Sequence, residues 1–394
     1  MRNALVNCRI VSPGIDIPEG FLLFDDRTIT AVGQGKFTGK ADRLTDASGL
    51  IAAPGFIDIH SHGRSGADFC DALPETFPVI GRGKCADGVT GFLATGLTVS
   101  ADDLRRMCRA AAEYRKNTVG GATLLGVHLE GPFFHPAYIG AQNPAHLKDP
   151  DTALVDELNA ICPVRKVSFS PELPGAEAFT AALAARHIMP SGGHSGADAA
   201  VFERLRALGM KHLTHFCNVM SPLHHLRFGM VGAGLLDDDV YVEMICDGVH
   251  LCDEMIRLIA KVKGPDRMML ISDAMRAAAM PDGEYTLGGQ AVTVTGGRAV
   301  LSGSNVVAGS TMRFFSGLQR LVRLTGMPLS DAVRTTAWNQ AESLGIPRRG
   351  KLEEGFFADI VLLDDSLTPR ATFCEGSLTF DGRQTAAAPH GTTA

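Results

Sequence analysis

Eight short apolar segments, most of them followed by a helix-like segment, restrict this chain to a β/α architecture. The strand candidates are residues 56–59, 91–95, 123–128, 166–169, 188–191, 212–214, 240–245 and 268–271. Helix candidates between them include residues 101–116, 176–185, 199–208 and 254–261. Eight such units predict a closed parallel (β/α)8 barrel of the TIM type rather than an open sheet.

The two ends of the chain have a different texture, with short strands separated by Gly- and Asp-containing turns. We therefore predict a small β-sandwich domain built from residues 1–50 and 346–385, a barrel of residues 51–345 and a tail at 386–394. Within the barrel region, the Gly-rich segment 282–303 predicts a hairpin inserted after the eighth strand. Residues 311–324 and 329–343 are then expected to form closing helices.

The bulk composition excludes several classes of protein. Apolar residues make up 45% of the 394 residues, which is enough for a large core, and no basic stripe accompanies the net charge of −6. Nucleic acid is therefore not an expected partner. The nine cysteines form no CxxC pair, and no uninterrupted apolar run reaches about 18 residues. We expect a cytoplasmic protein with reduced thiols, without a signal peptide or membrane span.

Residues suited to metal binding or proton transfer follow six of the eight strands. They are His60 and His62 after the first strand, Glu130 after the third, His194 after the fifth, His215 after the sixth, His250 after the seventh and Asp273 after the eighth. The carboxyl ends of parallel barrel strands meet at one mouth, where barrel enzymes carry their active sites. The spacing therefore predicts that these seven side chains converge.

The convergence is what gives each residue a functional interpretation. Taken alone, a histidine at a strand end is more often structural, and Glu130 or Asp273 could simply cap the following helix. In an extended segment, however, His60 and His62 point the same way and can reach one ion. Nitrogen and oxygen ligands without thiolate suit one or two divalent ions. We expect Zn²⁺ first, with Fe²⁺, Mn²⁺ and Co²⁺ as alternatives.

The two remaining residues suggest the chemistry. A carboxylate such as Asp273 can take a proton from a metal-activated water and later return it to the leaving group. His250 can polarise a scissile carbonyl or stabilise its oxyanion. Together these roles predict metal-assisted hydrolysis.

With the motifs in place, the chain resembles the amidohydrolase superfamily over nearly its whole length, and most of all the N-acetylglucosamine-6-phosphate deacetylase family. The matching segments are residues 54–63, 128–133, 193–195, 214–220, 247–250, 272–275 and 280–289, and 350–359 near the C-terminus. The resemblance implies a metal-dependent barrel, a split β-sandwich and a homodimer. It also implies release of acetate from an N-acetyl amino sugar phosphate.

The resemblance also assigns metal-binding roles by position. Glu130, His194 and His215 match the family's main metal site, whereas His60 and His62 match a second site. This chain has all five residues.

Other matches concern the substrate. Asp273 matches the general acid/base and His250 the carbonyl-polarising residue, while Asn218 and Val219 match a phosphate-contacting segment. The segment from His225 to Phe228 is expected to reach a neighbouring subunit's active site, and Met312 is a candidate for the wall of the substrate pocket.

Two departures from the family pattern affect substrate recognition. Gln142 stands where the family usually has a substrate-contacting histidine. Leu226 stands where an arginine for phosphate is expected, and Arg227 follows one residue late. Three hypotheses remain at this point: an amino-sugar-phosphate deacetylase, an amidohydrolase for a different or non-phosphorylated N-acyl substrate, and a non-catalytic binding homologue.

Overall fold

A computed structural model describes residues 1–382, so the predicted tail and the last residues assigned to the small domain lie outside it. Its centre is a sheet of eight parallel strands, each hydrogen-bonded to the next in chain order. These strands are Phe56–Asp58, Val89–Gly96, Thr123–Glu130, Val164–Phe169, Met189–Gly192, His212–Leu213, Tyr241–Met244 and Met268–Leu270. The predicted barrel is thus confirmed, with all eight strands in the predicted places.

A helix follows every barrel strand, as the β/α repeat predicts. The helices are Thr76–Cys85, Ala101–Lys116, Thr152–Ile161, Ala176–Ala185, Ala199–Ala207, Met230–Leu236, Asp253–Lys263 and Phe314–Thr325. Ser100 and Asp198 begin two of them by accepting backbone N–H bonds at the N-cap. The chain then forms two short α-helices, Leu329–Val333 and Asn339–Ser343, with a π-helical turn, Arg334–Trp338, between them. In the described part of the chain, no helix is long and apolar enough to cross a membrane.

The barrel closes where its first and eighth strands meet, and side chains help to close it. Asp58, at the end of the first strand, accepts the backbone N–H of Ser272 at 3.2 Å and its hydroxyl at 2.6 Å. Lys84 donates to the same carboxylate at 2.8 Å, and both charged groups are buried. Backbone bonds from Asp273 to His60 and from His62 to Ala274 complete this seam. The seam therefore fixes the two strand ends that carry three of the predicted site residues.

The chain ends form a second, mixed sheet of eight strands. Its strands are Arg2–Ser12, Ile15–Asp25, Thr28–Gln34, Arg43–Asp46, Ile51–Pro54, Ile360–Leu363, Pro369–Cys374 and Ser377–Asp381. The N- and C-terminal parts join because Ile51–Pro54 pairs antiparallel with Ile360–Leu363. This sheet has its own apolar core. Because its strand Ile51–Pro54 belongs to the sheet, the small domain includes four residues that the sequence assigned to the barrel.

The insertion after the eighth barrel strand is larger than the predicted hairpin. It is a three-stranded antiparallel sheet of Gly283–Leu287, Gln290–Thr295 and Arg298–Leu301. The prediction of one hairpin was wrong because the Gly296-Gly297 turn adds a third strand, which pairs with the second. Leu287 and the loop at Val306 and Val307 line the cavity at the barrel mouth, so the insertion forms part of its wall.

Candidate active site

All seven predicted site residues lie together at the carboxyl end of the barrel. Six of them line a single cavity, and His60 lies beneath it against the same groups. Within the described residues, two sets of three side chains bring their donor atoms within 4.8 Å of one another: Glu130, His194 and His215, and His60, His62 and Asp273. Asp273, which the sequence suggested as a proton shuttle, is thus also a possible metal ligand.

The first set is arranged around one carboxylate oxygen. Glu130 Oε1 lies 3.2 Å from His194 Nε2 and 3.0 Å from His215 Nε2, and the two imidazole nitrogens are themselves 3.0 Å apart. Burial disfavours the charged carboxylate, yet the neighbouring imidazoles hold the pKa of Glu130 well below its ordinary value. Glu130 is therefore an anion that needs positive charge beside it.

The second set lies against the first. His62 Nε2 is 3.2 Å from both Glu130 Oε2 and Asp273 Oδ1, and His60 Nε2 is 3.4 Å from the same Asp273 oxygen. Burial would lower the pKa of His62, but the two carboxylates raise it to about 10. The cluster attracts cations, and either protons or divalent metal ions can satisfy that demand.

The contacts made by the Nδ1 atoms of two imidazoles favour metal ions over protons as the cations of this cluster. His194 Nδ1 lies 2.9 Å from the carbonyl oxygen of Tyr138, and His60 Nδ1 lies 3.0 Å from a carboxylate oxygen of Glu243. Because these partners only accept, the proton belongs on Nδ1, and Nε2 presents a lone pair to the cluster. In the described residues, the buried atoms His60 Nε2 and Asp273 Oδ1 have no hydrogen-bond partner. The donor set therefore fits one or two divalent cations.

The backbone at these positions adopts an unusual conformation. His194, His215 and Asp273 have φ angles of 47°, 29° and 48°, in the left-handed region that non-glycine residues rarely occupy. Such conformations cost free energy and persist only where the surroundings enforce them, often at functional sites. Here each one turns a side chain inward directly after a barrel strand.

His250 is positioned by Asp247, which was not among the predicted site residues. Asp247 Oδ2 lies 2.7 Å from His250 Nδ1, and Asp247 Oδ1 accepts the backbone N–H groups of Val249 and His250. Burial lowers the pKa of His250, but the Asp247 carboxylate outweighs it and raises the pKa overall. His250 Nε2 remains to act as a donor in the cavity. The spacing of Asp247 and His250, three residues apart in one turn, was the available signal.

Gln142 reaches the cavity, but both ends of its amide are engaged by the protein. Its Nε2 donates to Glu130 Oε2 at 2.7 Å, and its Oε1 accepts the backbone N–H of Thr98 at 2.8 Å. The residue predicted to touch substrate therefore also holds a candidate metal ligand in place. Asn218 and Val219 line the same cavity.

The other predicted substrate contacts lie elsewhere within one chain. His225 and Arg227 are exposed on a short hairpin, Leu223–His224 with Arg227–Phe228, beyond the barrel mouth. Met312 is buried against apolar residues and borders a neighbouring cleft, so its contact with substrate stays a prediction. The Ser310 hydroxyl accepts its backbone N–H at 3.1 Å, ahead of the Phe314–Thr325 helix.

The chain belongs to the amidohydrolase family, whose model matches residues 51–385. Among curated relatives, it is 34% identical to the N-acetylglucosamine-6-phosphate deacetylase of Lysinibacillus sphaericus, over 90% of this chain and 91% of that protein. It is 33% identical to the N-acetylgalactosamine-6-phosphate deacetylase of Escherichia coli O157:H7, over 85% of this chain and 89% of that one.

Solved structures agree. The N-acetylglucosamine-6-phosphate deacetylase of Thermotoga maritima superposes with a TM-score of 0.87 at 34% identity, covering 96% of this chain and 99% of that chain. A mutant of the Mycobacterium smegmatis enzyme in complex with N-acetyl-D-glucosamine-6-phosphate gives a TM-score of 0.89 at 31% identity, with the same coverage. The resemblance inferred from motifs is thereby confirmed.

Proposed function

We propose that this protein is a metal-dependent deacetylase that releases acetate from an N-acetyl amino sugar phosphate, with N-acetylglucosamine 6-phosphate as the first candidate. The observation that carries the proposal is the single cavity that Glu130, His194, His215, His250 and Asp273 all line. Relatives with that activity match the chain over nearly its full length, which supports the choice of substrate class. The complete donor set argues against a non-catalytic homologue.

Each residue has a distinct role in this proposal. Glu130, His194 and His215 would hold one divalent ion, and His60 and His62 would hold a second with Asp273; we expect Zn²⁺. When bound, such an ion supplies Lewis-acid activation of water and of a carbonyl.

The proton transfers belong to residues of the chain. His250 Nε2 donates to the acetamide oxygen as negative charge develops there, and Asp247 stabilises the imidazole that donates. Asp273 takes a proton from the attacking water and delivers it to the nitrogen of the amino sugar as the C–N bond breaks. The products are acetate and the free amine.

A second substrate class is supported by the composition of the cavity wall. None of the described residues lining the cavity is a lysine or an arginine. A phosphate bound there must therefore rely on neutral donors such as backbone N–H groups and the Asn218 amide, on histidines, or on a second chain. This observation favours an N-acyl substrate without phosphate as the alternative, and the galactosamine relative makes the hexosamine epimer a further option.

A substrate panel separates these possibilities. Acetate release is measured for N-acetylglucosamine and N-acetylgalactosamine, each with and without a 6-phosphate, after loading the protein with Zn²⁺, Mn²⁺ or Co²⁺. We expect the 6-phosphates to be preferred. Equal kcat/KM values for the phosphorylated and plain sugars would contradict a phosphate-directed enzyme while leaving the deacetylase chemistry intact.

The chain is also proposed to form a homodimer through the exposed hairpin. Leu223, Leu226 and Phe228 expose 49%, 79% and 41% of their surface there, which is a large apolar exposure for so short a segment. Light scattering at micromolar concentration should give twice the chain mass of 41.7 kDa. A monomer only would contradict the proposal.

A cytoplasmic location also stays a prediction, supported by nine free thiols.

A further inference from the structure

The buried carboxylate of Glu243 lies directly beneath both candidate metal sets. It belongs to the seventh barrel strand, Tyr241–Met244, and its side chain is fully buried inside the barrel. Its Oε2 lies 3.0 Å from His60 Nδ1 and accepts the backbone N–H of His215 at 3.2 Å. One oxygen therefore contacts a predicted ligand residue from each set.

A second group keeps this carboxylate charged. Lys166, on the fourth strand and fully buried, donates from Nζ to the other oxygen, Glu243 Oε1. Burial disfavours the ionised form, but Lys166 and His60 hold the pKa of Glu243 well below its ordinary value. A buried ion pair of this kind is a poor source of stability, because desolvation offsets most of its attraction. Its geometry points instead to a positioning role.

The contacts of Glu243 differ in kind between the two sets. It accepts from the imidazole of His60 itself, which fixes the ring orientation and leaves the Nε2 lone pair facing Asp273 and Glu130. It holds His215 only through the backbone, and the His215 ring is oriented by Glu130. The His60 set therefore depends on Glu243 more directly than the Glu130 set does.

We propose that Glu243, paired with Lys166, is the positioning residue that gives the His60, His62 and Asp273 set its affinity for a second metal ion. This inference rests on the proposed metal-dependent function. Carboxylates that orient metal-ligating histidines typically contribute ten- to a hundredfold to metal affinity. Loss of Glu243 should therefore weaken binding of the second ion by about that factor and of the first ion by less.

The test is a metal-binding titration of the full chain with Zn²⁺ in competition with a chromophoric chelator, checked by elemental analysis. Glu243→Gln removes the charge and keeps the shape. Glu172→Gln is the matched control, because Glu172 also lies at the mouth, where it accepts from Ser195 and from the Gly196 backbone but contacts no imidazole within residues 1–382. We expect two ions in the wild type and in the control, and a ten- to a hundredfold weaker second ion in Glu243→Gln.

A double variant, Glu243→Met with Lys166→Met, removes the contact to His60 without leaving a buried lysine unpaired. It therefore separates the loss of the positioning contact from the loss of charge balance. Replacing a buried pair by apolar residues of similar size is often tolerated by the fold, so this variant remains measurable if the single variant does not fold. It should still lose the second ion. Wild-type affinity for both ions in the double variant, or only one ion in the wild type, would overturn the proposal. Failure of the proposed function is distinguishable, since it would appear as two bound ions without acetate release.

Discussion

The seam between the first and eighth strands predicts a large effect of one conservative substitution. Asp58→Asn keeps an oxygen that can accept the Ser272 backbone N–H but removes the charge that faces Lys84. Asp58 is 1% exposed and Lys84 is 3% exposed, so the ammonium group would remain buried without its counter-charge. Breaking a buried pair in this way costs about 3–5 kcal/mol. That is a fifth or more of the roughly 5–15 kcal/mol that stabilises a typical protein.

The assay is urea unfolding of wild type, Asp58→Asn, and Asp58→Asn with Lys84→Met, followed by circular dichroism. We expect the single variant to lose about 3–5 kcal/mol through a lower midpoint at an unchanged slope, and the double variant to recover most of the loss. A single variant within about 1 kcal/mol of wild type, or a double variant no more stable than the single one, would show that the ion pair does not stabilise the seam.

Three further predictions concern the site. Asp247→Asn removes the charge that raises the pKa of His250, so the pKa of His250 should fall. Because the protonated imidazole is the better donor, activity falls as His250 deprotonates. The alkaline limb of the pH profile of kcat/KM should therefore move to lower pH. An unmoved limb would contradict this role. Leu226→Arg should raise kcat/KM for the 6-phosphate by about ten- to a hundredfold and leave kcat/KM for the plain sugar unchanged. No gain would mean that an arginine at this position does not contribute to phosphate recognition. Glu130→Gln should lower the metal content measured by elemental analysis, and an unchanged content would exclude Glu130 as a ligand.

The sequence predicted the barrel well because its signal is local. Each apolar strand alternates with a helix of regular period, and the ligand candidates directly follow strands, so counting elements places them at one mouth. The Asp58 to Lys84 pair and the closing bonds to Ser272 join residues 26 and 214 positions apart. No local pattern contains that information.

Apart from Asp247, which lies in a turn, the parts of the site that were missed are buried polar residues inside ordinary strands. Glu243 lies in the four-residue strand Tyr241–Met244 and Lys166 in the six-residue strand Val164–Phe169, and charged residues in such strands are typically solvent-facing. Only the closed barrel turns both inward and makes them partners. Gln142 was selected as a substrate contact from a family position, but its bonds to Glu130 and Thr98 depend on how a loop folds over the mouth.

In the proposed reaction, Asp273 transfers the proton in a metal-dependent deacetylation. The most direct measurement is acetate release from N-acetylglucosamine 6-phosphate by wild type and Asp273→Asn, each stripped of metal and then reloaded with Zn²⁺, with metal content and circular dichroism recorded for every sample. General acid–base catalysis is worth about 10²- to 10⁴-fold. We predict that reloading restores wild-type turnover, while folded Asp273→Asn with metal bound stays at least a hundredfold slower. Near wild-type turnover in that variant would exclude Asp273 as the proton-transfer group, and full activity without metal would exclude a metal-dependent reaction.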